Sequence, residues 1–122
     1  MAHATAPFQT AASIDKGILA VKSGEYDSAI AVRRLREFIW RDGMAINCDT
    51  LRIPRTQDLP LIYAETTGLY VYTRNVIDKR RSRIGAHPFM LEMSIIEAID
   101  INEPMDFDIA SAIYSTLLQP GG

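Results

Sequence analysis

The chain has 122 residues, of which 48% are hydrophobic and 23% charged, with a formal net charge of −2. That is the size and make-up of one folded domain. It excludes a disordered or fibrous chain and gives no electrostatic ground for nucleic-acid binding. No apolar run approaches the ~18 residues of a membrane span and no basic-then-apolar leader opens the chain, so a cytoplasmic protein without membrane contact is expected. A lone cysteine, Cys48, forbids an internal disulfide and reads as a small buried hydrophobe, while His3 and His87 stand too far apart to suggest a shared metal.

Ile14, Ile18 and Val21 recur at helical spacing, which predicts a helix over Ser13 to Lys22 stopped by Gly24. Ala29 to Val32 reads as a short apolar strand. Arg33, Arg34 and Arg36 follow it, either as rim charges, the preferred reading, or as contacts to an anionic ligand. Phe38 to Trp40 and Met44 to Asn47 flank Arg41-Asp42-Gly43, a strong hairpin signal. Cys48 to Pro60 lacks periodicity and carries Pro54 and Pro60, so a long loop or arm is expected there.

Leu69 to Thr73 alternates as a strand does, with Gly68 allowing a turn before it, and Thr73 is placed to cap a helix ending in Lys79, Arg80, Arg81 and Arg83. Those four cations are read as capping and solvation. Pro88 to Leu91 predicts a short strand and Ile95 to Ile101 a buried central one. Asn102 then serves as N-cap of a last helix, with Pro104 in its first turn. Phe107, Ala110, Ile113 and Leu117 share one face of it, and Pro120 and the two terminal glycines then end the chain. Alternating strands and helices with a hairpin excursion predict an open α/β sheet carrying an inserted arm at about residues 36–60.

Asp100, at the end of the expected strand and just before a helix, occupies the place where open α/β folds bind ligands. Its carboxylate can hold a cation, with magnesium favoured by oxygen ligands and substrate phosphates, or can help cap the helix; local evidence weighs the two equally.

Five ordered stretches carry a resemblance: Arg55-Thr56-Gln57-Asp58-Leu59-Pro60, Gly68-Leu69-Tyr70-Val71-Tyr72-Thr73-Arg74, Arg83-Ile84-Gly85, Glu97-Ala98-Ile99-Asp100-Ile101-Asn102 with Asp106-Phe107, and the opening Thr5-Ala6-Pro7-Phe8. In order and spacing they resemble the acylneuraminate cytidylyltransferase family over nearly the whole chain. The resemblance implies a Rossmann-like nucleotidyltransferase sheet and a homodimer formed through the arm. It also implies transfer of CMP from CTP to the anomeric hydroxyl of a sugar acid, releasing pyrophosphate, with Mg2+ as cofactor. It makes Asp100 the catalytic metal ligand with Asn102 beside it, and assigns Arg55, Gln57, Thr66 and Tyr70 to the substrate. Asn102 departs from the family's second metal aspartate, and Thr56, the Thr66-Thr67 pair and His3 depart from the pattern of sialic-acid members, which points to another sugar acid. The family's Gly-rich, basic triphosphate loop has no counterpart, so the chain is expected to be the C-terminal part of an enzyme whose nucleotide-binding half is missing. A dimerising or ligand-binding module without catalysis is the alternative.

Overall fold

The computed structural model describes residues 1–118, so Pro120 and the terminal glycines lie outside the described residues. Among the described residues the α-helices are α1 (Ala11–Lys22), α2 (Arg74–Arg80) and α3 (Pro104–Ile113). The strands are β1 (Ser28–Leu35), β2 (Trp40–Arg41), β3 (Met44–Ala45), β4 (Ile62–Tyr72) and β5 (Pro88–Glu92). A 3-10 turn at Thr56–Asp58 and a π-helical turn at Tyr114–Leu118 complete the order.

The main sheet runs β4-β1-β5, with β1 antiparallel to β4 and parallel to β5, so the fold is mixed α/β on a mixed three-stranded sheet. β1 sits in the middle because its first five residues are all buried: Ala29 and Ala31 point to one face, Ile30 and Val32 to the other. On the first face lie Leu69, Leu91 and Met93, with Ile14 of α1 against them. Gly17 lets α1 settle closely there, since a Cβ on it would already stand 3.3 Å from Leu91 and Val71. On the second face Tyr70 joins Ile30 and Val32, with Tyr63, Tyr72, Ile84 and Met90 packed around them.

The hairpin forms where expected. Asp42 and Gly43 take φ of 52° and 78°, the left-handed pair that a two-residue turn between twisted strands requires. Asn47 pins its base, accepting from the Ile39 N–H (2.8 Å) and donating to the Glu37 carbonyl (2.8 Å). Helix starts also follow local chemistry, with Thr10 accepting from the Ser13 N–H at 3.1 Å and Thr73 from the Val76 N–H at 3.3 Å. Cys48 is half-buried.

Several expectations are corrected. β1 extends to Leu35, carrying Arg33 and Arg34 within the strand. β4 runs through Gly68 rather than starting after it, and absorbs the irregularity as a bulge, with Thr67 at φ 61°. Ile95 to Ile101 is no strand, and Ile95 is 90% exposed. The reason is Ser94-Ile95-Ile96-Glu97, a capping-box pattern. The Glu97 N–H donates to Ser94 Oγ (3.2 Å), the Ser94 N–H donates to Glu97 Oε2 (3.3 Å), and the backbone closes a turn from Ala98 N to Ser94 O (3.0 Å). Glu103, not Asn102, is the N-cap residue of α3. The Asp106 carboxylate reaches back to accept from the backbone N–H of both Asn102 and Glu103, each at 3.0 Å. Of the expected apolar face of α3, only Ala110 is buried.

Candidate functional site

Asp100 lies at a corner built by two loops. The Ile101 N–H donates to the Thr5 carbonyl at 2.8 Å, which holds the 100–102 segment against the Thr5-Ala6-Pro7 loop, and α3 begins two residues later. Glu97 fixes the same segment from the other side. Its Oε1 accepts from Thr10 Oγ1 (2.6 Å), Ser13 Oγ (2.7 Å) and the Thr10 N–H (3.3 Å), tying the turn to the start of α1. Burial works to raise the Glu97 carboxyl, but hydrogen bonds from Thr10, Ser13 and Ser94 hold it below the ordinary glutamate value.

Within this corner Asn102 Nδ2 donates to Asp100 Oδ2 at 3.1 Å, so the two residues assigned to a metal are neighbours. The other oxygen, Asp100 Oδ1, is shut off from solvent with no hydrogen-bond partner. A buried carboxylate oxygen without a donor is costly, and a cation is the natural complement to it. Among the described residues no group of three or more His, Cys, Asp or Glu gathers to cage an ion. Asp100 is thus the one carboxylate of this pair that could hold an ion, with the Asn102 amide turned to it.

Tyr70 is the centre of a second cluster, and is only 4% exposed. Its hydroxyl donates to Glu65 Oε1, the Arg83 guanidinium carbon lies 4.3 Å from its ring centroid, and the His3 ring centroid is 6.0 Å away. Burial first, then the bond to Glu65 and that residue's charge, push the phenol above its ordinary pKa, with Arg83 opposing, so Tyr70 remains a neutral donor. The segment that holds Asp100 also closes this cluster: the N-terminal ammonium donates to the Tyr70 carbonyl (2.6 Å) and the His3 N–H to the Gly68 carbonyl (2.9 Å).

The other substrate assignments are not brought to these two places. Thr66 is spent on the bulge, donating to the Ala31 carbonyl at 3.2 Å and accepting from the Gly68 N–H at 3.3 Å. Arg55 and Gln57 stand on the exposed 3-10 turn, Arg55 paired with Asp58 at 3.0 Å. Arg83, read from the sequence as a solvated cation past a helix end, is in fact stacked on Tyr70. Glu65 was missed for a geometric reason. Five residues apart in a regular strand, Glu65 and Tyr70 would face opposite ways, but β4 sets Tyr70 and Glu65 opposite Ile30 and Val32, so both share one face.

The chain matches no known family model, and no characterised protein matches it in sequence.

Proposed function

We propose that this chain is the metal- and sugar-side portion of a Rossmann-like nucleotidyltransferase that moves CMP from CTP to the anomeric hydroxyl of a sugar acid. The observation that carries the reading is the Asp100 corner: a solvent-shielded, unpartnered carboxylate oxygen with Asn102 beside it and the start of α3 next in the chain. In the reaction the sugar hydroxyl oxygen bonds to the α-phosphorus of CTP and gives up its proton to water, the bond to the bridging oxygen breaks, and pyrophosphate leaves with that electron pair. A magnesium ion, when bound, neutralises charge on the phosphates. Asp100 would hold the ion, and the Asn102 amide orients the carboxylate. Tyr70, oriented by Glu65 and Arg83, forms a fixed wall on the sugar side, where alignment of the attacking oxygen supplies much of the rate.

The hairpin supports an arm that meets a second copy. It forms a separate two-stranded sheet, and Trp40, Met44, Leu51 and Ile53 around it are exposed, Leu51 by 91%.

The test is pyrophosphate release from CTP and magnesium with a panel of sugar acids, with and without a supplied nucleotide-binding half. Release that depends on one sugar acid, and that Asp100→Asn reduces by at least roughly tenfold while the melting curve is kept, is the expected result. Turnover unchanged in Asp100→Asn, or no release with any sugar acid in the complemented protein, would discard the reading.

A further inference from the structure

A further cavity lies apart from both the Asp100 corner and the Tyr70 cluster. It is a half-open cleft of about 670 Å3 whose lining includes Arg33, Arg34 and Arg36 on one side and Met93, Ala98 and Ile99 on the other. Its origin is a step in the sheet. β5 ends at Glu92, opposite Val32, and the Met93 N–H still reaches the Val32 carbonyl at 2.8 Å before the chain turns away at Ser94. β1 continues to Leu35, so Arg33 to Leu35 run on with no β5 partner. The cleft therefore opens at the carboxyl end of the parallel β1–β5 pair, the place where α/β sheets bind small molecules.

Glu37 and Glu92 also line the cleft, but neither stands within ion-pair distance of an arginine there, and the three cations outnumber the two carboxylates. Arg34 Nε is buried and has no hydrogen-bond partner. An oxyanion is the ligand whose geometry a guanidinium fork matches.

We propose that this step in the sheet is a binding site for a small organic oxyanion, a phosphate or carboxylate on an apolar body. Arg33, Arg34 and Arg36 supply the positive charge for the anion, and Met93, Ala98 and Ile99 receive the body. Asp100 and Tyr70 do not line the cleft, so the inference stands independently of nucleotidyl transfer.

Titration of the full chain with inorganic phosphate, phenyl phosphate and benzoate, followed by NMR at the arginine Nε–H resonances, tests it. The expected result is saturable movement of the Arg34 signal, with phenyl phosphate or benzoate binding more tightly than inorganic phosphate. Preference between the first two organic probes tells phosphate from carboxylate. Arg34→Gln is expected to weaken binding roughly tenfold or more, while Arg74→Gln, which removes a surface charge elsewhere, leaves it unchanged. Should Arg34→Gln fail to fold, the Arg33→Gln/Arg36→Gln double variant decides, with the same loss expected. The proposal is overturned if no probe moves the Arg34 signal saturably, or if the folded variants in the cleft bind as tightly as the parent.

Discussion

Single side chains do the tying in this protein, and Glu97 does most of it. It joins the 94–98 turn to the start of α1 through Thr10 and Ser13, so Glu97→Gln should cost about 1–2 kcal/mol, discounted for its partial exposure, and lower the melting temperature. Asp27 plays a similar part at the start of β1, accepting from Ser28 Oγ (2.9 Å) and the N–H groups of Ala86 (2.8 Å) and His87 (3.1 Å). Partial desolvation raises its carboxyl, and those three donors more than offset this, leaving it below its ordinary value. Both carboxylates are depressed on folding. Their stabilisation is therefore complete above the unfolded values of about 4.5 for Glu97 and 3.8 for Asp27, and is lost as pH falls through the lower folded values. Thermal melts across the acid range should show stability declining below about pH 4.5, with a shallower decline in Glu97→Gln; identical pH profiles for variant and parent would rule out Glu97 as a contributor.

At the scale of elements, the informative features are interruptions. The β4 bulge sets four residues, Thr66 to Leu69, against Ala31 alone of β1, which turns Glu65 onto the face of Tyr70 and commits the Thr66 hydroxyl to the Ala31 carbonyl. No strand-by-strand reading finds this, because alternation assumes an unbroken ladder. The turn at Ser94 to Ala98 was legible, since Ser-x-x-Glu is a helix-start pattern, but the run of isoleucines around it matched a buried strand as well. The hairpin, α1 and α2 formed where they were read, with ends shifted by a few residues, because turn and cap residues close in sequence specify each. Close packing of α1 on the sheet gives a further expected outcome. Gly17→Val places methyl groups beyond a Cβ already 3.3 Å from Leu91 and Val71, so it should destabilise by about 1–3 kcal/mol in chemical denaturation. An unchanged midpoint would mean that α1 packs elsewhere.

Across the whole molecule, apolar surface is unevenly covered. α1 shields one face of the sheet, whereas Met105, Phe107 and Ile109 of α3 and Trp40, Met44 and Leu51 around the hairpin are exposed. Scattered exposed apolar residues are ordinary, but runs of them on two elements are a basis for association. Sedimentation velocity is expected to show species heavier than the 13.6 kDa chain, growing with concentration. A single species of chain mass throughout would remove the dimer from the proposed function.

The sequence by itself determined the mixed α/β class, the Thr73 cap of α2, the Asp-Gly hairpin and the adjacency of Asp100 to Asn102, because each depends on residues within a few positions of one another. Tertiary structure alone decided that Arg83 covers Tyr70, that Glu65 receives its hydroxyl, and that Arg33, Arg34 and Arg36 border a cleft where β5 stops short of β1. Those outcomes are set by strand register and by where neighbouring strands end, and both follow from long-range pairing rather than from local residue preference.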